Sequence, residues 1–531
     1  MPRADSPETA RRWATEPAID LWALFAGDLP GEDLQHVARG LATARSEGAR
    51  IALVEPPGAP TDARARALAD ISVAGEPAPS PFGLLAALHE ARVPDVRRLG
   101  VVGSEPAIVE AAHRAGAGAI VAVAPEDAER RARVLRAQPD AIASPQDFGH
   151  VYAERYGAAR PLRQRVLLNP GPSVVSDRVH RAIAGPDLCH REPEYEQLAR
   201  RVRGKLRRVA GVDDTWEVVL LAGSGTAAME AMVGAATRRG RSLLVCRNGV
   251  YGERLRTIAA RLGIPTVIVD GSPTRPIELA AIEAALAANP TVDALAVVHH
   301  ETTTGVLNPV VEIAEAAARR RVHVLVDAIS SLGAEELPLA GSGIDMVAGT
   351  ANKCLHGLPG VAFVLISPRA RQRIRQVAPR SLYLDLGTYL DAQEKGSVPF
   401  TPAVPAVMAL DAALDELLDE GTESRRGRYR ERMAFLDEAM RRIGLESLVA
   451  PEHRSASVLS LRLPEGIPYE ELHDRLRREG YVIYAGLGTT AASSFRVCAL
   501  GEIEIPALAG FTDALCRTLG RDGSGRSEPS I

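Results

Sequence analysis

Residues 322–327 read VHVLVD, and residues 350–360 read TANKCLHGLPG. The first stretch is an apolar run that ends in Asp327, which is typical of a buried β-strand. Lys353 follows in the second stretch, among small residues and about one β-α-β step further along the chain. The pair Asp327 and Lys353 therefore decides how the rest of the chain is interpreted.

A lysine and an aspartate in this arrangement predict an enzyme that uses pyridoxal 5′-phosphate (PLP). The lysine amine forms a Schiff base with the cofactor aldehyde. The carboxylate keeps the pyridine nitrogen protonated, so that the ring acts as an electron sink. We therefore expect Lys353 and Asp327 to be the catalytic pair and PLP to be the cofactor.

The composition is that of a globular protein of 531 residues, with 46% hydrophobic and 24% charged residues. A chain of this length exceeds one ordinary core, so two or three domains are expected. The net charge of −4, with acids and bases interspersed, argues against a nucleic-acid partner. No apolar stretch is long enough to span a bilayer, so no membrane partner is expected. The five cysteines are widely spaced without a disulfide or zinc pattern, which predicts a cytoplasmic protein.

Short apolar strands alternate with helices from residue 166 onward, which predicts an α/β sheet buried on both faces. A long charged helical stretch from Glu416 to Gly444 precedes a smaller α+β region. The predicted organisation is a tail at 1–17, an α/β domain at 18–150, a linker at 151–165, a large PLP-binding domain at 166–430, a small C-terminal domain at 431–519 and a tail at 520–531. Alternatively, the N-terminal segment of the large domain belongs to the small domain.

Three loops at strand ends carry further candidate cofactor residues. Ser224, Gly225 and Thr226 begin a helix, where backbone N–H groups bind anions such as a phosphate. An ordinary strand-to-helix turn is the alternative interpretation. Tyr251 lies between two glycines and is placed to stack on a flat ring. Thr303 lies in a run of three threonines whose hydroxyls could bond the phenolic oxygen of the cofactor.

Two arginines are candidates for binding substrate. Arg496 lies on a strand near the C-terminus, where it is either a surface residue or a clamp for a substrate carboxylate. Arg191 is the second candidate. His299 and His300 look like a metal pair, but no third ligand lies nearby in sequence, so no metal site is predicted.

The order of these motifs resembles the class V (fold type I) aminotransferases over essentially all of residues 166–519. Within that family the chain is most similar to the 2-aminoethylphosphonate:pyruvate aminotransferases. The similarity rests on NPGP at 169–172, GSG at 223–225, ETTTG at 301–305, DA at 327–328, ANKC at 351–354, PG at 359–360, RSLYLDL at 380–386 and Arg496.

The resemblance implies a homodimer in which each chain has a large α/β domain and a small C-terminal α+β domain. It makes Lys353 the Schiff-base lysine and Tyr251 the stacking aromatic. Thr401 would reach the phosphate in the neighbouring subunit. Asn169 and Gly171 would lie on the substrate side, where Arg191 is a candidate for binding the phosphonate group.

The implied reaction is transamination between a small-molecule amino donor and a 2-oxo acid. The favoured pair is 2-aminoethylphosphonate and pyruvate, giving phosphonoacetaldehyde and L-alanine, with the direction left open. An alanine–glyoxylate or serine–pyruvate type aminotransferase is the alternative.

Residues 18–150 resemble, more weakly, the core of a haloacid-dehalogenase (HAD) type phosphohydrolase. Ala26 stands where that family has its nucleophilic aspartate, and only Asp28 of the Asp-x-Asp motif is present. Glu76 stands where a lysine is usual, and Ser104 and Ile108 replace metal-binding acids. Since the chemistry needs the nucleophile and the metal, we predict a catalytically inactive domain. The alternative to an enzyme is a regulatory or scaffold protein in which this HAD-like domain acts as a ligand-binding or scaffold module. A generic Rossmannoid domain that never had the activity is the alternative.

Overall fold

A computed structural model describes residues 165–520 without a gap and most of residues 19–148. The gaps in the earlier range are 20, 26–27, 30, 47–48, 56, 59–62, 94–97, 124–127, 138, 140 and 144–147. Contacts divide the chain into two compact units, Met1–Gln164 and Arg165–Ile531. The predicted tails, most of the predicted linker and Ala26 lie outside the described residues.

In the first unit, the described residues form a parallel sheet of six strands in the order β3-β2-β1-β4-β5-β6. The strands are β1 (Leu21–Phe25), β2 (Arg50–Glu55), β3 (Ile71–Ala74), β4 (Leu99–Gly103), β5 (Ala119–Val123) and β6 (Ala141–Ala143). The helices are Gly31–Ser46, Ala63–Leu68, Phe82–Glu90, Pro106–Ala115 and Ala128–Arg136. This strand order is that of Rossmann-like sheets, and the resemblance to a HAD hydrolase stays a prediction.

The positions compared with HAD motifs make contacts within this first unit. Both carboxylate oxygens of Asp28 accept hydrogen bonds from Ser104, at 2.7 Å from its N–H and 3.1 Å from its hydroxyl. Glu76 is exposed and accepts a hydrogen bond from the hydroxyl of Ser80 at 2.7 Å. The Asp28 carboxylate is therefore bonded to the residue at the predicted position of a metal-binding acid.

The centre of the second unit is a sheet of seven strands in the order β10-β9-β11-β14-β15-β16-β8. The strands of this unit are β7 (Val166–Leu167), β8 (Glu217–Gly223), β9 (Ser242–Arg247), β10 (Thr266–Asp270), β11 (Val292–Val298), β12 (His300–Glu301), β13 (Val306–Leu307), β14 (His323–Asp327), β15 (Met346–Thr350), β16 (Gly360–Ile366), β17 (Val458–Arg462), β18 (Tyr481–Val482), β19 (Tyr484–Ala485) and β20 (Ser494–Cys498). In the large sheet, β16 runs in the opposite direction to the other six strands.

Helices cover both faces of this sheet, as the continuous apolar strands require. The helices of this unit are Asp177–Ala182, Pro193–Ala210, Gly225–Ala236, Val250–Arg261, Leu279–Ala288, Val310–Ala318, Pro368–Ile374, Leu386–Glu394, Val404–Glu420, Thr422–Arg442, Tyr469–Arg478 and Ile505–Leu519. The last three of them pack in the C-terminal part of the unit and not on the large sheet. Every residue of β11 and of β14 is buried. The carboxyl ends of the parallel strands therefore meet at one edge, where ligands bind in such sheets.

The C-terminal part of this unit contains a three-stranded antiparallel sheet, β17-β20-β19. Strand β7 pairs with β18, so the first strand of the unit belongs to this region of the structure. Its core contains Leu168, Leu459 and Phe511. The first residues of the second unit, from Val166 to Leu168, therefore pack with its C-terminal region and not with the large sheet.

The stretch predicted to be helical from Glu416 to Gly444 contains the end of helix Val404–Glu420 and the whole of helix Thr422–Arg442, and the two helices meet at Gly421. Gly421 has a φ of +87°, a conformation that glycine adopts without the steric cost other residues bear. The second helix, Thr422–Arg442, runs without interruption through the predicted domain boundary at 430. In the part of the chain that the structure describes, no helix is long and apolar enough to cross a bilayer.

Candidate functional site

Lys353 lies in the turn after β15, at the edge where the parallel strands end. The Gly357 N–H donates to the Ala351 carbonyl at 2.8 Å, which closes the turn. Lys353 Nζ donates a hydrogen bond to Ser330 Oγ at 3.1 Å. A Cβ built on Gly171 would lie 3.1 Å from Lys353 Cε, so the lysine passes directly over a residue that has no side chain.

The chain contains only three lysines, Lys205, Lys353 and Lys395. Lys205 is buried between helices, with Nζ at 2.6 Å from carboxylates of Asp411 and Asp415. Lys395 is exposed at the end of helix Leu386–Glu394. Lys353 is therefore the lysine that lies at the strand edge and is held by a neutral hydroxyl.

Asp327 is the last residue of β14 and is 3% exposed. Its Oδ1 accepts a hydrogen bond from the Ile329 N–H at 2.9 Å. Burial raises the pKa of Asp327 to about 6, and the positive charges of Lys353 and Arg254 act in the opposite direction. A buried carboxylate is stabilised by a cationic partner, which a protonated ring nitrogen would supply.

Tyr251 is positioned by Glu301, which is fully buried. The N–H groups of Tyr251 and Gly252 both donate to the Glu301 carboxylate, at 3.2 and 3.1 Å. Burial raises the pKa of Glu301 above its ordinary value. Lys353 Nζ lies 5.8 Å from the centre of the Tyr251 ring, and the Arg254 guanidinium carbon lies 4.7 Å from it. The ring therefore lies close to the lysine amine, as expected for a stacking platform beside the reacting groups.

Ser224, Gly225 and Thr226 form the start of helix Gly225–Ala236, directly after β8. The exposed Ser224 side chain makes no capping hydrogen bond, so its hydroxyl is available. Thr226 Oγ1 accepts a hydrogen bond from Arg254 Nη1 at 3.4 Å. A helix start, hydroxyls and a nearby guanidinium are the groups that bind a phosphate.

The run of three threonines divides into residues with different roles. The Thr303 hydroxyl donates to Glu301 and accepts from the Val250 N–H at 2.9 Å, so its proton is used within the protein. Thr302 Oγ1 is buried and has no hydrogen-bond partner among the described residues. A bond from Thr303 to the cofactor stays a prediction, and Thr302 is the threonine with an unused polar atom.

Arg496 lies on β20 and is 2% exposed. Its Nε donates to the Ala485 carbonyl at 2.9 Å, and its Nη1 donates to the Thr302 carbonyl at 2.8 Å. No carboxylate within residues 165–520 forms an ion pair with it. The guanidinium is therefore held by neutral acceptors beside the loop that follows β11, and its charge is not matched by an acid.

The other predicted substrate residues lie in different surroundings. Asn169 is 2% exposed, and its Oδ1 has no partner among the described residues. Gly171 faces Lys353. Arg191 and Thr401 are exposed, and no described hydrogen bond or ion pair joins either of them to the lysine turn. The structure thus brings Gly171 to Lys353 within one chain and leaves Arg191 and Thr401 at the surface.

The predicted set did not include Ser330, Arg254, Glu301 and Thr302, which contact the predicted residues. Ser330 lies three residues after Asp327 on the loop at the end of the same strand. Its position at a strand end was the available signal, because loops at that edge carry ligand-binding groups. Within the described residues, no cluster of three or more His, Cys, Asp or Glu residues could hold a metal ion.

The expected cofactor fits these residues. Buried polar atoms without partners are rare in folded proteins. Several are found on segments that lead into or away from the strand edge, among the described residues: Asn169 Oδ1, His299 Nδ1, His300 Nε2 and Thr302 Oγ1. A bound group with phosphate, hydroxyl and ring nitrogen functions would offer partners to such atoms. The Lys353 amine, the Asp327 carboxylate and the start of helix Gly225–Ala236 match the aldehyde, the ring nitrogen and the phosphate of the expected cofactor.

The second unit of the chain is similar to known proteins. The family described as "Aminotransferase class-V" matches residues 176–502. The 2-aminoethylphosphonate–pyruvate transaminase of Vibrio vulnificus is 37% identical over 344 residues, covering 64% of this chain and 93% of that protein. The protein of that name from Burkholderia thailandensis is 36% identical over 359 residues, covering 67% and 96%.

Solved structures give the same result for the fold. An alanine–glyoxylate aminotransferase from Nostoc sp. superposes with a TM-score of 0.64 at 27% identity, covering 68% of this chain and 97% of that one. An aspartate aminotransferase of subgroup IV from Thermus thermophilus gives a TM-score of 0.61 at 31% identity, covering 66% and 99%. The similarity spans nearly the whole of each of these proteins.

Proposed function

The chain belongs to the class V aminotransferases, and on that premise we propose that it transfers an amino group between 2-aminoethylphosphonate and pyruvate. The products would be phosphonoacetaldehyde and L-alanine, and the direction is left open. The names of the curated relatives support this choice of substrates. The structural observation that carries the proposal is the convergence of Lys353, Asp327 and Tyr251 at one edge of the sheet.

The residues that would hold PLP are those that match its functional groups. Lys353 would bind the aldehyde carbon, Asp327 the ring nitrogen, Tyr251 the ring face and Ser224 to Thr226 the phosphate. When bound, the cofactor supplies an electron sink that makes the hydrogen on the carbon next to the amino group acidic.

The chain's own residues then move the proton and orient the substrate. The Lys353 amine would take the proton from the carbon next to the donor's amino group, as general base, and would give it back as general acid. The Ser330 hydroxyl accepts a hydrogen bond from that amine at 3.1 Å and so limits where it lies. Arg496 would bind the carboxylate of pyruvate or alanine through its uncompensated charge.

Two copies would form a homodimer in which the exposed Thr401 reaches the phosphate of the neighbouring subunit. The enzyme would act in the cytoplasm. Residues 18–150 would be a catalytically inactive HAD-like domain.

A comparison of amino donors tests the proposal. The holoenzyme is mixed with 2-aminoethylphosphonate, L-alanine or L-serine without an acceptor, and the absorbance of the bound cofactor is followed. We expect 2-aminoethylphosphonate and L-alanine to convert the cofactor faster than L-serine. Conversion by alanine and serine but not by 2-aminoethylphosphonate would contradict the proposal. It would favour the alanine–glyoxylate type instead, which the Nostoc structure represents.

A further inference from the structure

His356 lies three residues after Lys353 and has a backbone φ of +57°, which is uncommon for a residue other than glycine. Its N–H donates to the Lys353 carbonyl at 3.0 Å, so it closes the turn that carries the lysine. A left-handed backbone conformation is sterically unfavourable for a residue other than glycine. Contacts elsewhere must therefore hold it.

The His356 side chain is 1% exposed and makes those contacts. Its Nε2 lies 3.1 Å from the Gly501 N–H and 2.7 Å from the Tyr429 hydroxyl, and its Nδ1 lies 2.9 Å from Glu502 Oε1. A backbone N–H can only donate, so Nε2 is an acceptor and the proton is assigned to Nδ1. Nδ1 then donates to the Glu502 carboxylate.

The charges around the imidazole agree with this assignment. Burial lowers the pKa of His356 to about 4, which keeps the ring neutral. The hydrogen bond from His356 lowers the pKa of Glu502 to about 2, which keeps the carboxylate charged. Arg428 Nη1 also donates to Glu502 at 3.2 Å. With the proton on Nδ1, Arg425 Nη1 at 3.1 Å does not donate to that nitrogen, and the positive charge of Arg425 further lowers the pKa of His356.

Two segments that carry proposed site residues meet at this imidazole, and a third is joined to it through Glu502. The first is the Lys353 turn itself. The second is the end of the strand that carries Arg496, because Gly501 and Glu502 follow that strand. The third follows Gly171, because the Glu502 N–H donates to the Val174 carbonyl at 2.9 Å.

We propose that His356 is a positioning residue that fixes the Lys353 turn relative to the Arg496 strand. It does so through its bonds to Gly501, Tyr429 and Glu502. It touches neither substrate nor cofactor and acts through the placement of the lysine amine. This proposal deepens the aminotransferase assignment and rests on it.

The test compares His356→Ala with His323→Ala in the full-length holoenzyme. His323 is also buried, with Nδ1 at 3.2 Å from Asp345, but it lies at the opposite end of strand β14 from Asp327. Misplacement of a reacting group by about 1 Å lowers rates by roughly 100-fold. We expect a fall of that order in kcat for His356→Ala, with little change in KM. His323→Ala is expected to lose stability but to keep its kcat.

A second readout needs no substrate. Amide hydrogen exchange at residues 351–358 of the apoenzyme should become faster in His356→Ala and stay unchanged in His323→Ala. This readout reports on the turn even if no tested amino donor reacts with the wild type, so failure of the assigned reaction and failure of the positioning role are distinguishable.

If His356→Ala does not fold, His356→Asn decides the question. Asparagine tolerates a positive φ, and its amide can donate to Glu502 but does not replace the Nε2 acceptor. For His356→Asn we expect kcat to fall by about tenfold, which is less than the fall expected for His356→Ala. Amide hydrogen exchange at residues 351–358 should also become faster. A kcat and an exchange rate equal to those of the wild type, in whichever of the two variants folds, would overturn the proposal.

Discussion

Replacing Arg496 by methionine separates the two substrates of the proposed reaction, because only pyruvate and alanine carry a carboxylate. Arg496 is 2% exposed, is held by the carbonyls of Ala485 and Thr302, and has no acid partner within residues 165–520. Losing one partner of a buried, hydrogen-bonded charge pair costs about 2–5 kcal/mol. Since about 1.4 kcal/mol is a factor of ten, kcat/KM for alanine should fall by roughly 30-fold to several thousand-fold.

The assay measures the two half-reactions separately, one with L-alanine and one with 2-aminoethylphosphonate. Arg496→Met also leaves two carbonyls without a donor, which lowers stability by about 1–3 kcal/mol for each group but affects both half-reactions. Arg432→Met is the matched control. Arg432 is 2% exposed and likewise donates to backbone carbonyls, those of Gly501 at 2.9 Å and Ala499 at 3.5 Å.

The ratio of the two half-reaction rates should change for Arg496→Met and not for Arg432→Met. Equal losses for alanine and 2-aminoethylphosphonate in Arg496→Met would refute the assignment. Arg496 would then be a structural residue that ties β20 to the Thr302 loop.

Other perturbations follow from the same contacts. Gly171→Ala should displace Lys353, because its Cβ would lie 3.1 Å from Lys353 Cε; kcat should fall, whereas Gly480→Ala, at a φ of +98° with open space around it, should lose only stability. Burial raises the pKa of Glu335 from 4.5 to about 7, so its contribution to stability is present below its ordinary pKa and is lost as the pH rises through 7. Glu335→Gln keeps an acceptor for the Ala456 N–H, and its unfolding free energy relative to wild type should rise by about 3 kcal/mol between about pH 4 and about pH 8; a difference that does not change with pH would contradict this. The full-length protein should release no phosphate from phosphonoacetaldehyde with Mg²⁺, because Ala26 offers no nucleophile; magnesium-dependent phosphate release would show that the first unit is active.

Much of the central sheet could be predicted from sequence because its strands are buried on both faces. The apolar run that ends in Asp327 became the strand His323–Asp327, every residue of which is buried. The break at Gly421 could not be predicted in the same way, since charged helical periodicity continues on both sides of it. Only the backbone angle of +87° shows that the chain changes direction there.

The residues of the candidate site differ in the same way in how well sequence predicts them. Residues at strand ends, such as Asp327 and Lys353, take their positions from the sheet, so sequence places them near one another. Neighbours such as Thr302 and Thr303 depend on how the loop turns, and sequence does not distinguish them. His356 was not a candidate because its partners Tyr429 and Glu502 lie 73 and 146 residues away in the chain.

The measurement that tests the central claim most directly is chemical trapping of the cofactor on the protein. Borohydride reduction of the holoenzyme makes the bond between a lysine and the cofactor permanent, and mass spectrometry of the digested protein then identifies that lysine. The chain offers only Lys205, Lys353 and Lys395. We predict the added mass on Lys353 alone, its absence together with loss of turnover in Lys353→Ala, and an unchanged result in Lys395→Ala. Label on either of the other lysines, or full turnover by Lys353→Ala, would contradict the account.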